Sequence, residues 1–238
     1  MNAPPLHEAP RTIGIELEFA NVRPIDLQPH LPPGWETIGD SSIRNTDGTW
    51  SRYGKMDVSG AEVRTILPHP LSWYSEERLS LVLSAVGEQD GKPNRYCGLH
   101  VHVGTFSRDR DMMLRVAGYF RRNSIAELAG TIPRRIRKQC APIDRNLLAA
   151  LARRDLEDLR LLCDARADGR NNPFREREVN GLSLLKYGTI EFRVFASTLH
   201  AREIIAAIRW SLELTDACLQ DGPLPVPEGP LPQPIHER

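Results

Sequence analysis

The sequence predicts an α+β domain: a largely antiparallel sheet with helices on one face and polar side chains on the other. Three observations carry this. Short runs alternate apolar and polar residues with a period of two, the pattern of half-buried strands. These runs cluster early in the chain and then recur singly, or as one hairpin, between longer segments with helical spacing. Neither an internal repeat nor a steady βαβ alternation is present, which favours antiparallel pairing under a layer of helices.

Residues 1–12 form a polar, proline-containing lead-in, expected to fray. Ile13–Phe19 (Ile-Gly-Ile-Glu-Leu-Glu-Phe) is the first strand: Glu16 and Glu18 point one way, Ile15, Leu17 and Phe19 into a core. Asn21–Gly34, with Pro24, Pro29, Pro32 and Pro33, reads mostly as loop. A short strand is expected near Thr37–Ser42, followed by a Gly- and Asp-rich turn. Gly60–Leu67 is a further strand, with Glu62 and Arg64 on one face, ended by Pro68 and Pro70.

Leu71–Gln89 has helical spacing through Trp73, Leu79, Val82, Leu83 and Val86, with Gly91 beyond its end. Cys97–Gly104 (Cys-Gly-Leu-His-Val-His-Val-Gly) is a strand with His100 and His102 on one face. A helix from about Arg110 to Ala129 follows, its core side built from Met113, Val116, Phe120 and Leu128. Two short helical patterns, Asp144–Leu151 and Leu156–Cys163, lead to a Gly/Asn/Pro-rich loop at Asp168–Phe174. Glu178–Lys186 and Thr189–Phe195 flank Tyr187-Gly188, so a tight hairpin is expected. Ala201–Leu219 is a strongly patterned helix. Residues 221–238 are Pro-rich and are expected to form a flexible tail. A single domain over residues 13–220 results.

Composition narrows the functional classes. Lys+Arg and Asp+Glu both number 31 in the 238 residues, giving a formal net charge of zero. That removes the electrostatic case for nucleic acid or an anionic membrane as the main partner. No apolar run reaches transmembrane length, and the N-terminal stretch lacks the apolar core of a secretory signal. The 4 cysteines are widely spaced without a C-x-x-C pair, which speaks against a zinc ribbon or redox pair and fits a reducing cytoplasm.

Four strands each present an (i, i+2) polar pair: Glu16/Glu18, Glu62/Arg64, His100/His102 and Glu191/Arg193. Singly each is ordinary: an acidic solvated edge, a structural histidine, a surface ion pair worth little. Together, on one sheet face, they bring four carboxylates, two imidazoles and two guanidinium groups to one surface. Burying that set without a polyvalent ligand is costly. Oxygen-dominated ligation suits Mg²⁺ or Mn²⁺ and argues against structural zinc. Four carboxylates exceed what one Mg²⁺ takes from protein, so two or more cations are expected. Arginines beside such ions are what a transferring phosphoryl group needs. No Walker A or G-x-G-x-x-G sequence occurs, so any nucleotide sits on the sheet itself.

These blocks resemble a known family. Gly14–Phe19, the Asp40-x-Ser42 and Gly60-x-Glu62-Val63 segments, Gly98–Gly104 and Thr189–Phe195 stand in the order found in the amidoligases, which are similar to glutamine synthetase and γ-glutamylcysteine ligase in their catalytic domain. The resemblance implies a glutamine-synthetase-like sheet holding Mg²⁺ and ATP. A substrate carboxylate would attack the γ-phosphate and an amine would displace phosphate from the acyl phosphate, the two substrates being small amino acids, a peptide or a protein side chain. Carried over by position, Glu16, Glu18, Glu62, His100 and Glu191 are metal ligands and Arg193 binds phosphate. Glu62, Glu191 and Arg193 form the catalytic set. His102 is a ligand or a nucleotide contact, and Glu18, Asp40, Ser42 and Asn180 line the nucleotide side. Arg134 or Arg137, before Cys140-x-Pro142, holds a substrate carboxylate or phosphate, the alternative being that this stretch is a solvated helix end. The kinship with glutamine synthetase, whose subunits share active sites, leaves room for a homo-oligomer.

Two departures fall at the rim of the site. Arg64-Thr-Ile-Leu-Pro68 replaces the family's usual Ser-Pro, and the stretch between Asp40 and Gly60 is long. Two other classes compete: a metal-dependent hydrolase, since H-x-H also occurs on hydrolase strands, and a nucleotide- or metal-binding module without turnover.

Overall fold

Strands β1 (Ile13–Phe19), β2 (Trp35–Gly39), β3 (Ala61–Thr65), β4 (Gly98–Gly104), β5 (Val179–Asn180) and β6 (Thr189–Ala196) form one sheet ordered β2-β3-β1-β4-β6-β5. Every pairing is antiparallel. The computed structural model describes residues 11–105, 107–130, 140–164 and 177–232. Among these lie helices α1 (Pro24–Leu27), α2 (Glu76–Glu88), α3 (Arg110–Arg122), α4 (Arg145–Ala152), α5 (Leu156–Asp164), α6 (Leu182–Tyr187) and α7 (Ala201–Gln220). The architecture is α+β, as the alternation predicts.

The period-2 pattern explains the core. Ile13, Ile15, Leu17 and Phe19 of β1 are buried together with Leu99, Val101 and Val103 of β4 and Ile190 and Phe192 of β6. The same cluster takes in Leu79, Val82 and Val86 of α2, Met113, Val116 and Phe120 of α3, and Ile204, Ile208 and Leu214 of α7. Helix α7 packs on β4 and β6, while α2 and α3 pack on α7. Each of the longer early helices has a side-chain cap. Ser75 accepts from the Arg78 amide of α2, Asp109 from Met112 in α3 and Asp144 from Leu147 in α4, each satisfying an amide that the helix leaves unpaired.

Several expectations are corrected. Asn21–Gly34 is not mostly loop: Pro24 sits in the first turn of α1, where its missing N–H costs nothing, and a 3₁₀ turn follows at Gln28–His30. The strand expected at Thr37–Ser42 lies two to three residues earlier. Helix α3 stops at Arg122, and Leu128, placed in the core from sequence, is 51% exposed. Ile125, Ala126 and Ala129 are buried there instead.

The tight hairpin at Tyr187-Gly188 is absent. Residues 182–187 form α6, with Leu182, Ser183, Leu184 and Leu185 buried, and Gly188 ends the helix in the left-handed region at φ 73°. A short leucine-rich run fits a buried strand or a buried helix equally, and glycine with positive φ serves a helix C-terminus as well as a hairpin. Beyond α7 the Pro-rich segment is described to residue 232. It is held to the domain: Trp210 Nε1 donates to Pro225 O at 3.0 Å, Tyr119 OH to Gly222 O at 3.1 Å, and Leu231 is buried in the main core. The lead-in before residue 11 and the loop Asp168–Phe174 lie outside the described residues. Among the described residues, no helix is long and apolar enough to cross a membrane.

Candidate active site

Strand register brings the polar pairs together. In an antiparallel ladder, directly opposed residues point to the same face. Glu18 opposes Glu62, and Glu16 opposes Arg64 on one side and His100 on the other. His102 opposes Glu191, which is opposed in turn by Asn180 of β5. The sheet order therefore places β3, β1, β4, β6 and β5 side by side with these groups on one surface. The β4–β6 ladder is interrupted once. Leu99 pairs with Phe195 and Val101 with Phe192, so β6 carries an extra residue opposite His100, and Arg193 projects from that bulge.

Two groups of ligand atoms result. Glu16, His102 and Glu191 each offer one ligand atom, all within 4.8 Å of one another, and Glu18, Asp40 and Glu62 do the same. His100 lies between the two groups. Its Nδ1 is 3.0 Å from Glu16 Oε2 and 3.9 Å from Glu191 Oε1, while its Nε2 is 3.7 Å from Glu18 Oε1. His102 turns Nε2 toward Glu16 Oε1 at 3.3 Å. Its Nδ1 lies 3.3 Å from Thr189 Oγ1 and 3.5 Å from Ser183 Oγ, with the two hydroxyls 2.9 Å apart.

The groups differ in compensation. Glu191 binds Arg193 Nη1 through Oε1 and accepts Asn180 Nδ2 at 2.6 Å through Oε2. Burial opposes its ionisation, but Arg193 and His102 outweigh that and hold its carboxyl down at about 2. Glu16 is likewise held well below the usual range: burial opposes ionisation, and His102 and His100 overcome it. Burial disfavours the His102 cation, yet Glu16 and Glu191 raise its pKa overall.

The second group lacks this balance. Glu62 is pushed well above the usual carboxylate range by burial and by the charges of Glu16, Asp40 and Glu18. Its nearest cation, Arg64, sits 3.6 Å away and is drawn instead to Glu36 at 2.8 Å. Glu18 accepts the Gly98 amide at 2.6 Å and lies 3.4 Å from Ser42 Oγ. Three carboxylates this close, two of them buried, are unfavourable without a shared proton or cation. The donor set fits hard divalent cations: three carboxylates in one group, two carboxylates and an imidazole in the other.

Of the residues singled out from sequence, Glu16, Glu18, Asp40, Ser42, Glu62, His100, His102, Asn180, Glu191 and Arg193 converge here. Arg134 and Arg137 lie outside the described residues. His102, rather than His100, falls within the first ligand group. Ser183, Thr189, Glu36 and the Gly98 amide were not foreseen. Thr189 shares the strand parity of Glu191, so it was legible in principle; Ser183 is carried by a helix that the sequence reading missed.

The chain matches the family model described as "Putative amidoligase enzyme" over residues 28–215, most of its length, and it belongs to that family. Membership suggests a ligase-type, amide-bond-forming enzyme. The match takes in β2 to β6 and most of α7 but begins after β1, so Glu16 and Glu18 join the site through strand register. No curated protein matches the chain.

Proposed function

We propose that this protein is an ATP- and Mg²⁺-dependent carboxylate–amine ligase acting in the cytoplasm. The carrying observation is the pair of ligand groups on adjacent strands, three carboxylates on one side and Glu16/His102/Glu191 on the other, with Arg193 beside the second. That arrangement supports phosphoryl transfer, where catalysis is positioning plus charge neutralisation.

In this reading, Glu18, Asp40 and Glu62 hold one cation and Glu16, His102 and Glu191 another. Bound Mg²⁺ (or Mn²⁺) supplies neutralisation of the phosphates and polarisation of the γ-phosphoryl group. Arg193, fixed by Glu191, presents its guanidinium to the transferring phosphoryl group. A substrate carboxylate oxygen attacks the γ-phosphorus, the bond to the β-phosphate oxygen breaks, and ADP leaves. The amine then attacks the acyl carbon, inorganic phosphate departs, and the amine proton is lost. Asn180 keeps Glu191 oriented, and the Ser183/Thr189 pair keeps the His102 ring turned toward Glu16.

The test is phosphate release from Mg·ATP by purified protein supplied with pooled carboxylic acids and amines. Release should require both pools and disappear in Glu191→Gln. Turnover that persists in that variant, or hydrolysis without ATP and dependent on bound zinc, would overturn the reading.

A further inference from the structure

Two residues beyond Ser42, Arg44 sits in a cluster of aromatic and polar side chains outside the strands. Arg44 is half-buried, and its guanidinium lies 5.7 Å from the Trp50 ring centre and 5.8 Å from that of Tyr96. The two rings are 5.7 Å apart and inclined at 72°. Nε donates to Gly48 O at 3.2 Å and Nη1 to Tyr96 OH at 3.3 Å. The Asn94 side chain joins the two halves of this clamp, donating to Arg44 O at 2.7 Å and accepting from the Tyr96 amide at 2.8 Å.

All of these partners are uncharged. Among the described residues, no carboxylate pairs with Arg44, and its Nη2 donates to none of them. Arg64 and Arg193, by contrast, each bind a glutamate of the sheet. A guanidinium that served to neutralise the acidic group would reach for Glu18 or Asp40. Arg44 pairs with neither and is engaged instead by Gly48 O, Tyr96 OH and the two rings. Its position is nevertheless tied to that group: Ser42 and Gly98, the two donors near Glu18, are each two residues from one half of the clamp, and two residues span at most about 7 Å. A cation–π-supported guanidinium with Nη2 uncommitted is suited to a planar oxyanion.

We infer that Arg44 is a specificity-determining residue of the carboxylate substrate. It grips a second, non-reacting carboxylate, so the substrate class is small dicarboxylic acids and their derivatives. This rests on the ligase reading above. The source of the oxyanion is the substrate rather than the nucleotide, because Arg193 already serves the phosphates from the other ligand group. Arg44 and Trp50 come from the long stretch between Asp40 and Gly60, and Asn94 and Tyr96 from the segment before β4.

Two arms test it. In the first, phosphate release is measured with ammonium as amine and either glutarate or butyrate as acid. Glutarate should be the better substrate, and Arg44→Met should raise its apparent KM by at least about tenfold while leaving the KM for Mg·ATP unchanged; Arg44→Lys should fall between. Equal use of the two acids overturns the inference. So does a raised KM for Mg·ATP with unchanged KM for glutarate, which would assign the anion to a nucleotide phosphate. The second arm needs no turnover: glutarate and butyrate are titrated into Mg²⁺-loaded protein, followed by calorimetry and by the fluorescence of the exposed Trp50. Glutarate should bind more tightly, and that advantage should vanish in Arg44→Met. Absence of glutarate binding to the wild type overturns the inference even where ligase turnover has been established. Selective binding without turnover leaves the clamp standing and sinks only the ligase reading.

Discussion

The two ligand groups are neighbours on one sheet, yet they solve the problem of buried negative charge in opposite ways. Glu16, His102 and Glu191 are already balanced: Arg193 binds Glu191, and two imidazoles approach Glu16. Glu18, Asp40 and Glu62 are balanced by little, since Arg64 is shared with Glu36. The first group is therefore pre-organised, and its charges help hold the fold. The second stores unfavourable repulsion that a cation would relieve. In general terms, a polar site can be stabilising in one half and destabilising in the other, and only the destabilising half gains stability from its ligand.

The largest effect that separates them is the loss of Glu191. Glu191→Gln leaves the Arg193 guanidinium without its carboxylate in a largely buried setting, and should cost about 3 kcal/mol of stability, read as a lower urea midpoint with an unchanged slope. An effect near zero would erase the contrast. The intermediate effect has the opposite sign. In metal-free buffer at neutral pH, Glu62→Gln should stabilise the protein, read as a higher urea midpoint, because it removes the cost that burial and the charges of Glu16, Asp40 and Glu18 impose. With saturating Mg²⁺ the order should reverse, since the wild type then gains roughly 2–3 kcal/mol of linkage free energy that the variant binds too weakly to share.

The smallest effect lies in the pH dependence of the metal-free protein. Glu191 has a folded-state pKa near 2, below its ordinary 4.5, so it contributes stability above the ordinary value that is lost as pH falls toward 2. Glu62 has a folded-state pKa above its ordinary value. Its ionised form costs stability above that raised value, and the cost fades as pH falls through the raised pKa toward 4.5. The advantage of Glu62→Gln over wild type should thus shrink on mild acidification, before the deficit of Glu191→Gln begins to close. Coincident changes in urea midpoint would count against two separate electrostatic regimes.

Much of this site is legible in sequence, for a definite reason. The sequences of β1, β3, β4 and of β6 as far as Val194 alternate apolar and polar residues, so parity alone assigns Glu16, Glu18, Glu62, His100, His102, Glu191 and Arg193 to polar faces. Parity does not say which strands are neighbours, and so does not foresee that Glu18 opposes Glu62 while His102 opposes Glu191. Nor does it fix depth along a strand, which is what separates His102 from His100. The least legible region is β5–α6–β6. There Leu182, Leu184 and Leu185 are interrupted only by the small Ser183, all four buried, so the helical and extended templates fit alike, and tertiary burial decides. The Arg44 clamp was equally hidden. Its parts, Arg44, Trp50, Asn94 and Tyr96, come from separate loops, where no periodicity links one residue to the next.

The bulge in β6 has a consequence for how this protein can change. Elsewhere in the sheet a one-residue insertion or deletion inverts a strand, sending its core residues to the polar face. In β6 the slip has been absorbed once, between Phe192 and Phe195. The half that carries Glu191 answers to the site, and the half that carries Phe195 answers to the core beneath α7. The reach of Arg193 can therefore be retuned by substitutions within three residues, while the strand that supplies it continues to hold the hydrophobic layer in register.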